Sequence, residues 1–521
     1  MKGSLNLILQ SHLPFVRHPE YSSFLEENWF FEAMDESYLP LLRAFDSLER
    51  DGVPFRLTIS LSPTLLSMMS DEFLQERYVG HLKKMIALAK QELERVSDDE
   101  KFGPLAGMYH DLYTRNYEDF VKRYQHDVIG RFLKYEKSGH LELITTAATY
   151  AYLPLYESEP AVVKTQINAA VQLFESCFEH RPRGFWLPDM GYFPGLEKYL
   201  KNAGIAYFFT SAHGLLLGKD EASCGVFSSY KTPNGTYFFA RDVDSGLVVP
   251  SYAAAPVYRE FYRDIGFDLP FDYVRDYMPD KKNRVFTGIK YYAVTGSEDK
   301  NVYNIDAAQK QVREHAADFI KTVNLRFEKL SHQMSKEPVI TAPFDTELFG
   351  HGWFEGVQWI EEVFRQSQKN DIFSWGVPTE YIARNRDAET VSPIFSSWGN
   401  KGFSEVWFHE KNDWVHKPIF QSIEMMKDFV FRFPNEGALK ERILNQALRE
   451  VLLMQASDWP FILYNATDVA YAESRIKGHV ENFNRIYDNL CSNEIDAEWL
   501  IALTQRNNIF PLLDYRTFTD E

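Results

Sequence analysis

Apolar residues fall into two kinds of run along this chain. Short stretches at 5–9, 55–60, 141–146, 184–187, 207–210, 236–240 and 339–344 are apolar almost throughout. Uniform rather than alternating apolarity predicts strands covered on both faces, as in parallel sheets. Between them, 24–48, 77–95, 160–180 and 307–334 repeat their apolar residues at helical spacing. Strand-then-helix alternation predicts an α/β protein, either a barrel or a doubly wound sheet. Beyond about Trp407 the strands cease, and 419–431, 439–456 and 469–490 read as helices. The expected division is a barrel-type domain, 1–405, followed by a helical domain, 406–521. The stretches 219–246 and 280–290 read as loops over one end of the barrel.

Size and charge narrow the field. A chain of 521 residues suits one large barrel with an appended domain. The formal charge of −18 argues against nucleic acid or an anionic membrane as partner, whereas a neutral polymer tolerates it. Aromatic residues make up 15% of the chain, which suits packing against the C–H faces of sugars, although large cores also collect Phe and Tyr. Cys177, Cys224 and Cys491 are odd in number and far apart, so they read as core thiols rather than a disulfide framework or metal site. Met1-Lys2-Gly3-Ser4 leads into an apolar segment too short for a signal peptide, and no apolar run of about 18 residues follows. The expected place is the cytoplasm, as a monomer or small homo-oligomer.

In barrels the working residues stand at the C-terminal ends of strands. Four such ends carry polar or unusual residues: Gln10-Ser11-His12, Thr149-Tyr150-Ala151-Tyr152, Pro188-Asp189-Met190-Gly191 and Phe344-Asp345-Thr346-Glu347. Retaining glycoside hydrolysis needs two carboxyl groups roughly 5–5.5 Å apart, one as nucleophile and one as acid. Asp189 and Asp345 each follow a strand-like run beside aromatics. Asp345 reads equally as a helix N-cap, and Asp189, between Pro188 and Gly191, as part of a tight turn. His12 reads as a sugar ligand or a buried structural histidine, and its spacing to either aspartate matches no zinc motif. No serine nucleophile elbow, phosphate-binding Gly loop or Rossmann fingerprint is present in a plausible context.

These segments resemble glycoside hydrolase family 57. Leu13-Pro14-Phe15-Val16-Arg17-His18-Pro19-Glu20 is similar to its first region, and Gly184-Phe185-Trp186-Leu187-Pro188-Asp189 to its nucleophile region. Pro343-Phe344-Asp345-Thr346-Glu347-Leu348-Phe349-Gly350-His351 is similar to its acid region. The stretch from Tyr258 to Gly266, Ser396-Ser397-Trp398-Gly399 and Ser457-Asp458-Trp459 resemble the branch holding α-1,4-glucan branching enzymes and amylase-like relatives. The resemblance implies an incomplete (β/α)₇ barrel with a helical insertion and a C-terminal helical domain. It implies Asp189 in the nucleophile position, Asp345 as acid/base, an α-glucan as substrate or ligand, and no metal or organic cofactor. It also implies sugar contacts from His12, Tyr150, Trp186, Trp398, Trp407, Asp458 and Trp459. Trp398, Trp407, Trp414 and Trp459 read as stacking platforms or as core.

The sequence departs from the family at telling places. The nucleophile there is normally Glu, so the oxygens of Asp189 fall roughly 1–1.5 Å short, and a misplacement of about 1 Å can cost about 10²-fold, unless the strand end shifts or a water stands between Asp189 and the sugar, which would make the mechanism inverting. Gln10-Ser11-His12 replaces His-x-His, Tyr150 stands where a His is usual, Gly352 where a Trp is usual, and the segment from Arg241-Asp242 to Tyr258 is short. Glu347 reads as a like-charge neighbour of Asp345 or a salt-bridge partner of an Arg, and His351 as structural. Two readings stay open: a glucan enzyme of altered specificity or low rate, and a non-catalytic relative that binds glucan or a partner protein.

Overall fold

A computed structural model describes residues 2–278 and 281–520. Asp280, the first residue of the predicted 280–290 loop, and Met1 lie outside the described residues. The strands are β1 (Gly3–Ser11), β2 (Leu57–Leu61), β3 (Leu141–Thr146), β4 (Gly184–Trp186), β5 (Tyr207–Thr210), β6 (Ser229–Lys231), β7 (Tyr237–Ala240), β8 (Val339–Asp345) and β9 (Phe373–Trp375). All of β1 is buried, as its unbroken apolarity requires of a strand covered on both faces. The sheet runs β6-β7-β5-β4-β3-β2-β1-β8, with β9 paired to the first residues of β1. All pairings are parallel except β6 with β7.

The two ends of this sheet almost meet. Just beyond β7, the Asp242 N–H donates to the Thr341 carbonyl of β8 at 2.9 Å. Arg326, on the long helix Ile305–Gln333, grips the Asp242 carboxylate with two nitrogens at 2.5 Å each. The expected incomplete barrel is therefore what forms, sewn at one seam by Asp242.

Most predicted strands match the observed ones to within about two residues. The stretch 219–246 is not loop throughout: it contains β6, and helix Val243–Ala253 starts inside it. The residues of β6, Ser-Tyr-Lys, carry no apolar run, and they become a strand only because β7 offers an edge. Among the described part of 280–290 there is neither helix nor strand.

The predicted 24–48 helix is broken. Glu27–Ala33 passes through a π turn, Met34–Tyr38, into Leu39–Arg50. A π turn inserts a residue into the helical ladder and commonly marks a functional place. Here it turns Glu36 and Tyr38 inward, beneath the loop that follows β8.

After residue 416 the described chain holds helices and no strand: His416–Arg432, Ala438–Met454, Asp458–Asn465, Val469–Ser492 and Ala497–Arg506. The second is buried on almost every side from Ile443 onward. Its end is tied to the barrel, because Thr149 donates to the Leu452 carbonyl at 2.7 Å and Gln166 to Gln455 at 2.9 Å. The cysteines are free, but they are not all core thiols: Cys177 and Cys224 are half-buried and Cys491 is exposed. Cys491 lies in the last turn of its helix, facing Arg432 and solvent. No described helix is long and apolar enough to cross a membrane.

Candidate active site

Parallel pairing of β1 and β8 sets Gln10 beside Asp345, so the first and last regions of the barrel share one rim. Asp345 ends β8 with its side chain open to the cleft. It stands at the N-cap position of the short turn Thr346–Leu348, yet it caps nothing, because its side chain accepts no hydrogen bond from that turn. The surrounding protein pushes its carboxyl up to about 6, against the pull of His12 and Arg241.

Asp189 follows β4 on a tight turn. Its backbone is left-handed at φ 54°, as are Met190 at 51° and Tyr150 at 55°. Such conformations of non-glycine residues cost of order 1–3 kcal/mol each and gather at functional sites. Three bonds hold the Asp189 backbone: Trp398 N–H donates to its carbonyl at 2.7 Å, its own N–H donates to the Tyr150 hydroxyl at 3.3 Å, and Met190 N–H closes the turn onto Leu187 at 2.8 Å. The carboxyl accepts one bond, from Ser457 at 3.2 Å. Burial, then Asp458 and Asp345, push it well above the usual carboxylate range.

His12, at the end of β1, bonds through Nε2 to both oxygens of Asp458, at 3.0 and 3.1 Å. Its ring stacks on Tyr150 with centroids 3.9 Å apart. Asp458 is thus spent on His12. The Tyr150 hydroxyl accepts the Trp186 indole N–H at 3.1 Å as well as the Asp189 N–H. Trp186 is buried and buttresses the site from below.

The tryptophans divide. Trp398 is half-buried, and the Arg241 guanidinium covers its ring at 4.6 Å. Trp407 and Trp459, expected as sugar contacts, are 2% and 1% exposed. Trp407 stacks on Tyr152 at 4.1 Å, and Trp459 donates to the Leu453 carbonyl at 3.2 Å, so their rings fill core. Trp414 is half-buried beside Lys477.

The loop after Asp345 is fixed from beneath. Glu347 bonds to Tyr38, not to the expected arginine, and burial, with Asp345 adding, lifts its carboxyl to about 8. His351 bonds to Glu36 at 2.7 Å, and Glu36 also takes the buried Arg259 at 2.9 Å. Arg259 and His351 hold the Glu36 carboxyl at about 2 despite its burial. Sequence reasoning missed Arg241 and Ser457 as site residues. The position of Arg241 directly after β7 was the available signal; Ser457 had none beyond its neighbours.

Residues 6–394 match the family model described as glycosyl hydrolase family 57. The chain belongs to that family. Family 57 accounts for the barrel, and residues 418–518 match a second model, the C-terminal region of 1,4-alpha-glucan branching enzyme. The chain is similar in structure to alpha-amylase AmyC from Thermotoga maritima, with TM-score 0.94 and 39% identity over 99% of both chains. A GH57-type branching enzyme from Pyrococcus horikoshii aligns with TM-score 0.90 and 28% identity, over 99% of this chain and 97% of that one. A curated relative, 1,4-alpha-glucan branching enzyme of Thermococcus kodakarensis, is 29% identical over 98% of this chain and 78% of its own length.

One stability effect follows from the site. The Asp189 carboxyl is harder to ionise in the fold than in the unfolded chain, so the folded protein binds the extra proton. Its penalty is absent below the unfolded value of about 3.9 and grows as pH rises toward the folded value. Asp189→Asn is therefore expected to raise the melting temperature by about 1–2 °C at pH 7–8. The gain should vanish near pH 3.5 in parallel thermal melts.

Proposed function

We propose that this chain acts on α-1,4-glucans as a transglycosidase of the branching-enzyme type, by double displacement. Asp345, protonated, gives its proton to the departing glycosidic oxygen while the Asp189 carboxylate attacks the anomeric carbon. Asp345, now ionised, takes a proton from the 6-hydroxyl of an acceptor chain, whose oxygen then displaces Asp189. Water in the acceptor's place gives hydrolysis instead. What supports the reading is that both aspartates stand at C-terminal strand ends of one barrel, Asp345 lifted to about 6 at the end of β8 and Asp189 on a strained turn after β4. The similar proteins are branching enzymes and an alpha-amylase, which supports the substrate class. In this reading 1–405 carries the carboxyl pair and 406–521 supplies Ser457 and Asp458.

One observation favours the binding-only reading. Burial, Asp458 and Asp345 all make the Asp189 carboxyl harder to ionise, which works against a nucleophile. The discriminating experiment incubates the protein with amylose, follows iodine staining, and measures chain lengths after debranching. New α-1,6 branches or shortened chains, lost by at least about 10³-fold in Asp345→Asn, are the expected outcome. Silence from the wild type, Asp345→Asn and Asp189→Glu alike, with glucan still bound, would leave only the binding role.

A further inference from the structure

The C-terminal end of β7 presents a guanidinium with nothing to bind. Arg241 follows Ala240, and its backbone N–H is fixed to the Thr210 carbonyl at 2.9 Å. The side chain lies over Trp398 and against Gly246, where a Cβ would stand 2.2 Å from one terminal nitrogen. Its Nε is sealed from solvent without an acceptor. Among the described residues the guanidinium makes no hydrogen bond and no ion pair. The adjacent Asp242 is occupied by Arg326, and the carboxyl that draws Arg241 most strongly is Asp345.

Two other enclosed arginines have carboxylate partners. Arg259 has Glu36 at 2.9 Å and Arg17 has Asp71 at 3.0 Å. An unmatched buried donor costs roughly 1–3 kcal/mol, more when charged, and persists where something else supplies the acceptor. Trp398, beneath the guanidinium, donates its backbone N–H to the Asp189 carbonyl at 2.7 Å, so Arg241 stands beside the turn that carries Asp189.

We propose that Arg241 is a specificity-determining residue that binds the glucosyl unit seated between Asp345 and Asp189, its planar fork donating to two adjacent hydroxyls. The inference rests on the glucan reading above. A guanidinium offers two parallel N–H groups at fixed spacing, which suits a vicinal diol as it suits a carboxylate. Its charge also reaches Asp345. The groups facing Asp345 are Arg241 after β7, His12 after β1 with Asp458 behind it, Asp189 after β4, Tyr150 after β3, and Glu347 with Tyr38. Only Arg241 and His12 pull its proton off. Removing Arg241 therefore lets Asp345 keep its proton to higher pH, and the basic limb of the rate profile moves up.

The test uses Arg241→Gln and Arg241→Lys in the full chain, in the wild type or, if that is silent, in Asp189→Glu. Thermal melts establish that each variant is folded. With maltoheptaose, Arg241→Gln should raise KM at least tenfold and shift the basic limb upward. Arg241→Lys should restore the limb, because the charge is back, but not KM, because the fork is lost. A glutamine variant that keeps both KM and limb overturns the proposal, whatever the fate of the branching reading. If neither parent turns over, the enzymatic reading has failed separately, and calorimetry with maltoheptaose decides. A tenfold loss of affinity in Arg241→Gln supports the assignment; equal binding, or none by the parent, overturns it.

Discussion

Asp189→Glu is expected to act on amylose about 10²-fold faster than the parent, with KM changed only a few-fold. The added methylene restores roughly 1–1.5 Å of reach, and the backbone cannot make up that distance, held as it is by Trp398, Tyr150 and the Leu187 turn. A second handicap compounds the first. Double displacement needs Asp189 ionised and Asp345 protonated, but burial and Asp458 lift Asp189 well above its usual range while Asp345 stops at about 6. Whatever hinders ionisation of Asp189 works against the productive arrangement, in which Asp189 is the carboxylate and Asp345 the acid. The rate profile should be bell-shaped and low, its limbs belonging to the pair. A longer side chain moves the carboxyl out from beside Asp458 toward the sugar, where ionisation is easier. Initial rates of branch formation, with pH profiles for both proteins, check this. A glutamate variant no faster than the parent would sink the placement of Asp189 as nucleophile.

Gly350→Ala is expected to destabilise the fold by about 4–5 kcal/mol or prevent folding, and to abolish any activity that depends on Asp345. Gly350 has φ 104°, and a Cβ there would lie 1.8 Å from the carbonyl oxygen of Glu36. That oxygen belongs to the backbone of the π turn and has nowhere to go. The Glu36 side chain holds His351 and Arg259 at the same point, so the clash strikes the support of the whole loop from Asp345 onward. Gly352→Ala is the control, since its nearest neighbours would stand 3.5 Å away. Thermal melts of the two variants should differ by about 4–5 °C, the shift such an energy produces in a chain of this size.

Much of the barrel was legible because buried parallel strands leave a plain trace. The runs at 141–146 and 207–210 coincide with strands Leu141–Thr146 and Tyr207–Thr210. β6 and β9 left no such trace, being three residues each and dependent on an edge already built. The π turn was invisible because Met34–Tyr38 keeps helical composition, and only packing under the acid loop reveals the extra residue. Asp189 and Asp345 were legible as residues at strand ends. Their ionisation was not, because it depends on Asp458, Arg241 and His12, which lie far off in sequence. Trp407 and Trp459 show the opposite failure: an aromatic ring suits a sugar and a core equally, and only burial decides.

His12 and Asp458 are 446 positions apart in sequence, yet they share a bond at the heart of the cleft. At synthesis speeds of about 5–20 residues per second, roughly 20–90 s separate their appearance on the ribosome. Throughout that interval the nascent barrel lacks the carboxylate that bonds His12 and the hydroxyl that bonds the Asp189 carboxyl, both contributed by Ser457-Asp458. The candidate site is thus completed late, by the arrival of the helical region, and a ribosome that stalls early releases a barrel with that site unfinished.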